Sequence, residues 1–325
     1  MNKIMECVPN FSEGRDKTKI EKIISCFQNN SNVKLLDFSP DTDHNRTVVT
    51  VVGEPDALAE TVINAAIMAK SLIDLNKHSG QHPRMGSIDV VPFIPVQNVT
   101  EEDAKSTAEK VGKALWEQAG IPVFMYEKSA RSPQRENLAV IRKGEFEGLK
   151  EKMASKEWTA DYGGNAPHPT AGATVVGARM PLVAFNVNIA SENLEYADKT
   201  AKKIRFIGGG LRYVKALGLE LTDRKITQIS MNLTDFTKTS IYLTFELIKA
   251  ELKRYNAKIS GCEIIGLLPY QAIKDVSDYV LLCEGKSQQK IDSLSEDEII
   301  AVAEKYLMLE NFSFNQVLER TIKNS

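Results

Sequence analysis

Residues 183–189 read Val-Ala-Phe-Asn-Val-Asn-Ile, and this stretch decides the class of fold. Large apolar side chains at every second position alternate with Ala184, Asn186 and Asn188, which is typical of a strand with one buried face. Immediately afterwards, apolar residues recur at helical spacing from Leu194 to Ile204. A half-buried strand followed by an amphipathic helix predicts a sheet covered by helices.

The same order of elements extends outward in both directions. Downstream, the pattern predicts strands at 211–217, 226–233 and 262–267, with a helix at 241–252 before the last strand. The first half predicts strands at 4–8, 33–38, 47–52 and 88–96, with helices after the first and third, then a helix ended by Gly120 and a strand at 121–126. Pro92 indicates an edge or strand-end position for its strand.

Each half therefore has the order strand-helix-strand-strand-helix-strand, the split βαβ pattern. We predict an α+β protein of two α/β subdomains, each a mixed or antiparallel sheet covered by helices in a split βαβ (ferredoxin-like) arrangement. The join is expected near residues 175–182, which gives domains of 1–178 and 179–325. A chain of 325 residues is long enough for two cores.

Composition excludes several classes of partner. A net charge of −2 and a pI near 6.2 give no general attraction to nucleic acid or anionic membranes. No run of 18 apolar residues is present, and the N-terminus lacks the pattern of a secretory signal. The four cysteines are scattered, as buried thiols of a reducing compartment would be. We therefore expect a cytoplasmic protein without nucleic-acid or membrane partners.

The segment 76–93 concentrates groups that carry chemistry. It contains His78 and His82, two of only four histidines, together with Arg84 and Asp89. Glycine and proline punctuate it, so it predicts a polar loop that leads into a strand. A histidine beside an arginine places a proton carrier next to a permanent cation, which suits a carboxylate-bearing substrate.

The other histidines also occupy loops. His44 lies in the segment 41–46, and His168 lies in the segment 165–172. Three such loops indicate a shared cleft, although exposed and idle histidines are the plain alternative. The spacing of His78 and His82 resembles that of metal ligands, but glycine and proline disfavour the required helix and only Asp89 is nearby as a third ligand. We predict no metal, and we interpret the charged segment 142–152 as a solvated face.

Several of these segments resemble the glutamate formiminotransferase (glutamate formimidoyltransferase) family. The matches run in order through most of the chain. They cover 6–14 (Glu-Cys-Val-Pro-Asn-Phe-Ser-Glu-Gly), 45–48 (Asn-Arg-Thr-Val), 82–86 (His-Pro-Arg-Met-Gly), 92–95 (Pro-Phe-Ile-Pro), 172–179 (Gly-Ala-Thr-Val-Val-Gly-Ala-Arg) and 184–188 (Ala-Phe-Asn-Val-Asn).

The resemblance implies an enzyme of histidine degradation and one-carbon metabolism. It would transfer the formimino group from N-formimino-L-glutamate to tetrahydrofolate, giving 5-formimino-tetrahydrofolate and glutamate. Tetrahydrofolate is then a co-substrate, no metal is needed, and the folate is expected in a cleft between two subdomains of a homodimer. Because the chain ends at Ser325, we expect the stand-alone form without the cyclodeaminase domain.

The resemblance also implies roles for individual residues. The catalytic histidine falls on His82, as general base and acid. The folate-binding segment falls on Gly163, Gly164, Asn165, Ala166, Pro167, His168, Pro169, Thr170, Ala171 and Gly172. An acid that some members carry is replaced here by Ser39, which leaves Asp37, Asp41 or Asp43 to orient His82, with Arg84 as further catalytic support.

Chemistry suggests the remaining site residues. Two substrates bring at least four carboxylates, and Arg46, Arg84 and Arg179 are candidates for binding them, with internal or surface ion pairs as the alternative. Phe11 either stacks on the pterin or belongs to the core. The predicted substrate-binding set is Asn10, Phe11, His44, Asn45, Arg46 and Arg179.

Three other functions remain open at this point. The same site could handle 5-formyltetrahydrofolate as a formyltransferase. The protein could instead bind folate or a carboxylate without catalysis. A metal-dependent hydrolase that uses His78 and His82 is the third alternative.

Overall fold

The computed structural model describes residues 3–28, 30–80 and 82–324, without the side chains of residues 223 and 324. The chain divides into two compact units, Met1–Arg179 and Met180–Ser325. Helices accompany one mixed sheet and one antiparallel sheet, which confirms the predicted α+β class in these coarse terms. No described helix is long and apolar enough to cross a membrane.

The first unit contains a sheet of seven described strands and its helices. The strands are β1 (Ile4–Cys7), β2 (Asn10–Phe11), β3 (Val33–Asp41), β4 (Arg46–Gly53), β5 (Ile88–Gln97), β6 (Val123–Met125) and β7 (Thr174–Ala178). The helices are α1 (Lys17–Ser25), α2 (Pro55–Leu72), α3 (Glu101–Ala119), α4 (Leu138–Arg142) and α5 (Glu145–Met153). The order across the sheet is β3, β4, then β1 with β2, then β5, β7 and β6. The pairs β5–β7 and β6–β7 are parallel, and the other pairs are antiparallel.

Strand β5 lies inside the sheet, so the edge position predicted from Pro92 is wrong. It pairs with β1 and β2 on one side and with β7 on the other. Pro92 has no backbone N–H to donate to a neighbouring strand. It is tolerated because it lies opposite the gap between β1 and β2, where no such hydrogen bond is needed. The Pro92 carbonyl still accepts a hydrogen bond from the backbone N–H of Val8 at 3.3 Å.

Strand β7 was not predicted, and it occupies the start of the expected join at 175–182. All five of its residues are buried. A short strand that is covered on both faces shows no alternation of polar and apolar residues, so periodicity cannot reveal it. Its parallel pairing to β5 brings residues 174–178 into the interior of the sheet.

Capping residues set the ends of the helices, and Gly120 ends one of them as predicted. Thr100 and Asp103 form a capping box at the start of α3, and Gly120 ends that helix with φ of 64°. Such reciprocal bonds satisfy backbone N–H groups that a helix leaves without partners at its start. In the second unit, Ser295 and Glu298 do the same for the helix Glu296–Leu307.

The second unit is built on an antiparallel sheet. Its strands are β8 (Val183–Ile189), β9 (Val214–Leu221), β10 (Ile226–Leu233) and β11 (Ile259–Ile265), in the order β11, β8, β10, β9. Its helices are α6 (Leu194–Ile204), α7 (Ile241–Leu252), α8 (Tyr270–Cys283), α9 (Gln288–Asp292), α10 (Glu296–Leu307) and α11 (Leu318–Asn324). Valine and phenylalanine at alternate positions of β8 are buried in its core, as the opening alternation predicted.

Both faces of the first sheet are covered. Helices α1, α2 and α3 pack on one face and form the main core of this unit. A separate apolar cluster lies on the opposite face, where Ile141 of α4 and Leu149 of α5 pack against Val90 and Val175. Arg46 alternates along β4 with Val49 and Val51 of the main core, so it points to this second face. Asp89 is joined to the same face by its ion pair with Arg142 of α4.

Phe11 provides a test of the main core. It is 1% exposed and makes an edge-on contact with Phe27. We expect Phe11→Ala to lower the free energy of unfolding by about 3–5 kcal/mol. Both tryptophans lie in the first unit, so urea unfolding followed by their fluorescence reports on it. Phe38→Ala is the matched control because Phe38 is 43% exposed; equal losses from the two variants would contradict this assignment.

Candidate functional site

Asn45 ties three loops of the first unit together. Its side-chain oxygen accepts a hydrogen bond from the Gly14 backbone N–H at 2.9 Å, and its amide nitrogen donates to the Ser79 carbonyl at 3.0 Å. The ring Nε2 of His78 lies 2.8 Å from the Asn45 carbonyl oxygen. The residue adopts a positive φ of 50°, a conformation that asparagine tolerates better than most residues. These hydrogen bonds bring His44 and Arg46, on either side of Asn45, to the loop before β5 that contains His78 and His82, called the histidine loop below.

His82 lies half-buried at the centre of the loop. Its Nε2 contacts the guanidinium of Arg46, and its ring centroid is 6.1 Å from that of His44. Its Nδ1 is buried and makes no hydrogen bond of normal geometry, although a backbone interaction with Pro83 opposes the fall of the ring pKa. Burial, with the nearby charges of Arg46 and Arg142, lowers the pKa of His82 to about 4. The imidazole is therefore neutral at neutral pH.

Asp89 is the buried carboxylate of this site. One oxygen accepts a hydrogen bond from the Met85 backbone N–H at 2.7 Å, and the other lies 2.6 Å from the guanidinium of Arg142. Burial raises the pKa of Asp89, and the charge of Arg142 opposes that shift. The ion pair thereby links β5, the turn before it and helix α4.

Arg142 is a site residue that the sequence did not reveal. Its side chain is only 12% exposed, so the interpretation of 142–152 as a solvated face is wrong at its first residue. Glu145 and Glu147 of the same segment form ion pairs with the buried side chain of Arg84. Charge alternation resembles a surface pattern, and only the packing of α4 over the sheet shows which members are buried. The one signal in the sequence was that Arg142 directly follows the apolar residues Val140 and Ile141.

Arg84 is fully engaged within the protein. Its guanidinium lies 2.6 Å from Glu147 and 3.1 Å from Glu145. Its Nε donates to His78 Nδ1 at 3.2 Å. The internal ion pair raised as the alternative is what the structure contains, so Arg84 is not available as a substrate clamp in this arrangement. Both ring nitrogens of His78 are likewise bonded to protein groups, which leaves neither free as a metal ligand.

None of the three aspartates proposed to orient His82 hydrogen bonds to it. Asp41 instead lies 2.7 Å from His44 Nδ1, and hydrogen bonds from the His44 backbone and ring lower its pKa. Asp37 is exposed on β3, and Asp43 is exposed in the turn that follows. The group that contacts His82 here is the cation of Arg46, and the role of a carboxylate in orienting His82 stays a prediction.

The predicted folate segment, 163–172, lies directly beside the histidine loop. The Leu75 backbone N–H donates to the Thr170 carbonyl at 2.8 Å, and the Ser87 N–H donates to the Ala171 carbonyl at 3.0 Å. Gly172 has φ of 68°, and a Cβ there would lie 2.0 Å from the Met85 carbonyl oxygen. Only glycine permits this approach of the two backbones.

The end of the folate segment is a closed turn. His168 and Gly172 exchange backbone hydrogen bonds of 2.8 and 3.0 Å, and His168 Nδ1 accepts from the Ala171 N–H at 3.0 Å. By contrast, residues 164–166 are exposed. The segment thus combines a firmly anchored end with an accessible stretch, and its assignment to folate stays a prediction.

The remaining predicted residues differ in position. Phe11 belongs to the core, so the stacking role is wrong and the core alternative holds. Asn10 is buried in β2, where its side chain donates to the Val8 carbonyl at 2.8 Å. The charge of Arg179 faces Cys7 and Tyr126, and its backbone N–H donates to the Phe93 carbonyl. A substrate role for Asn10 and Arg179 stays a prediction.

Comparison with known proteins covers nearly the whole chain. Residues 4–179 match the family description "Formiminotransferase domain, N-terminal subdomain", and residues 184–324 match "Formiminotransferase domain". A Streptococcus pyogenes serotype M1 protein named glutamate formimidoyltransferase is 47% identical, over 87% of this chain and 95% of its own length. A Thermoplasma acidophilum protein of the same name is 40% identical, over 89% and 95%. The Mus musculus formimidoyltransferase-cyclodeaminase is 37% identical over 99% of this chain, which spans 60% of that protein.

Titration of His82 tests the electrostatics of the site. We expect its imidazole to take up a proton only at about pH 4, well below the usual value of about 6.5. Proton–nitrogen NMR of the four histidines measures this, and His82→Gln identifies the resonance. The unfolded chain takes up this proton at higher pH than the folded one, so the contribution of His82 to stability falls as pH drops from about 6.5 to about 4. An ordinary pKa for His82 in the folded protein would contradict the description.

Proposed function

This chain belongs to the formiminotransferase family, and on that premise we propose that it transfers the formimino group of N-formimino-L-glutamate to tetrahydrofolate with His82 as the base. The protein is a one-carbon group transferase, like its relatives named glutamate formimidoyltransferase. The observation that carries the assignment of the base is the neutral His82 in contact with Arg46, in a loop whose neighbouring residues bond to the predicted folate segment.

The reaction needs one proton to move between two nitrogens. N5 of tetrahydrofolate attacks the formimino carbon, and a neutral His82 takes the proton that N5 loses as the new bond forms. The imidazolium then returns that proton to the glutamate nitrogen as the bond from this nitrogen to the formimino carbon breaks. The products are 5-formimino-tetrahydrofolate and glutamate, with no net proton uptake.

Position contributes the rest of the acceleration. Two bound substrates react as if in one molecule, which removes several kcal/mol from the barrier. We propose that residues 163–172 receive the folate, because this segment is fixed at Gly172 beside Met85 and open at 164–166. The remaining assignments of this proposal are a cytoplasmic homodimer without a metal and without nucleic-acid or membrane partners.

We also propose the split βαβ description for both units. In the second, β8 and β9 flank β10 and are both antiparallel to it, so the strands joined by α6 run in the same direction with one strand between them. In the first, β5, β1 with β2, β4 and β3 follow the corresponding order, and β7 and β6 extend the sheet. The first unit carries the proton-transfer groups.

Replacement of the base tests the proposal. We expect His82→Ala to reduce kcat by about two to four orders of magnitude, because the proton of N5 loses its acceptor. Folate affinity should stay within a few-fold, since no part of residues 163–172 is changed. The assay follows 5-formimino-tetrahydrofolate and free glutamate from purified protein, tetrahydrofolate and formiminoglutamate, with and without a chelator.

A parallel reaction separates the alternatives. Tetrahydrofolate is replaced as reactant by 5-formyltetrahydrofolate, with glutamate as the acceptor. If product forms only in this second reaction, the donor is 5-formyltetrahydrofolate and not formiminoglutamate. Folate binding without either product would leave a non-catalytic binding protein, and loss of activity with the chelator would favour the hydrolase alternative. Near-normal turnover of His82→Ala would remove the base from the mechanism.

A further inference from the structure

We propose that Arg46 and Arg142 together form the pocket for the α-carboxylate of the amino-acid substrate, and that this carboxylate draws Arg46 away from His82 and so frees the base. The inference rests on the proposed function and adds the recognition of the donor and its coupling to catalysis. It also assigns a substrate-binding role to Arg142.

Arg46 is a half-buried cation without a carboxylate of its own. No acidic side chain among residues 3–28, 30–80 and 82–324 forms a salt bridge with its guanidinium, whose one hydrogen bond is to His82 Nε2. Burial, followed by the charge of Arg142, lowers the pKa of Arg46. A partly desolvated cation that meets only a neutral ring gains stability when an anion binds to it.

Arg142 leaves a second unsatisfied group at the same place. One end of its guanidinium meets Asp89, but its Nε is buried and has no hydrogen-bond partner. Among the buried and half-buried groups here the two arginines exceed Asp89 by one positive charge, while the exposed Asp41 also acts on Arg46. One bound carboxylate would neutralise that excess, and its two oxygens suit the planar donors of guanidinium groups.

The contact between Arg46 and His82 blocks the base. A guanidinium can only donate, so its N–H occupies the lone pair of Nε2 and the ring proton then resides on Nδ1. Nδ1 is buried, with no partner beyond the backbone of Pro83. Neither nitrogen of His82 can take a proton in this arrangement. A carboxylate bound to Arg46 would expose the lone pair of Nε2.

The chemistry of the substrates selects the α-carboxylate. In formiminoglutamate this group is attached to the same carbon as the reacting nitrogen, so it must lie within a few ångströms of the base. The carboxylates of the folate tail are separated from N5 by the pterin and an aromatic spacer. Arg46 touches His82 directly, and the group it receives is therefore the one nearest the reacting atoms.

The surrounding charges predict how His82 responds to the ligand. It faces Arg46 at the start of β4, Arg142 at the end of α4 and His44 of the loop between β3 and β4, while the charges of Asp89 and Asp41 act on Arg46. The two arginines are cationic and lower its pKa. A bound carboxylate cancels part of that charge, so the basicity of His82 rises when the donor is present.

The test uses L-glutamate as the probe and the His82 resonance as the readout. In the wild-type protein, saturating glutamate should raise the pKa of His82 by at least about one unit from its value of about 4. Arg46→Gln should raise that pKa in the free protein and abolish the response to glutamate. Arg142→Gln should weaken glutamate binding by about tenfold or more, as expected for the loss of a hydrogen bond between charged groups.

Two further variants control for folding. Arg142→Lys keeps a cation opposite Asp89 and loses the planar fork, so it should fold and bind glutamate more weakly than wild type. Lys150→Gln removes an exposed charge from the neighbouring helix α5 and should match wild type in both readouts. A glutamate response in Arg46→Gln equal to wild type would overturn the proposal, as would glutamate binding that leaves the pKa of His82 unchanged.

The result is separable from the proposed function. A glutamate-dependent shift of His82 in a protein that makes no formimino product would uphold the carboxylate pocket and refute the transferase reaction. Product formation without that shift would uphold the reaction and refute the release of His82 by substrate.

Discussion

The carboxylate of Asp89 holds the first unit together at the point where chemistry is expected. It is almost fully buried, it fixes the turn before β5 through the Met85 N–H, and it anchors α4 through Arg142. A buried carboxylate is costly unless it is paired and hydrogen-bonded, and both conditions are met here. Because Arg142 must reach it, α4 lies over the sheet face from which Arg46 and His82 are approached.

This constraint also sets the electrical character of the site. One buried acid is matched by two arginines, so positive charge remains in excess beside a neutral imidazole. An anionic substrate is attracted to such a place, and the imidazole beside it stays neutral. The arrangement accounts for a histidine whose pKa is far below its usual value without any carboxylate to orient it.

Local rules of sequence predicted much of the fold. Alternation in β8 and helical spacing in α6 and α7 follow from the burial of one face, which a single segment records. Capping at Thr100 and Ser295 depends on neighbours three residues away. Strand β7 and the interior position of Pro92 were missed because they depend on distant partners, namely β5 and the interruption between β1 and β2.

The features of the candidate site also separate into those that local sequence predicts and those that depend on distant partners. The sequence by itself determined that His82 and residues 163–172 belong to loops rich in glycine, proline and polar groups, and its motifs determined the family. The tertiary structure alone decided that Phe11 is core, that Arg84 is bound to Glu145 and Glu147, and that Arg142 faces inward. The physical reason is that a motif records which groups are present, whereas burial and pairing depend on elements distant in sequence that meet only when the sheet and its covering helices pack.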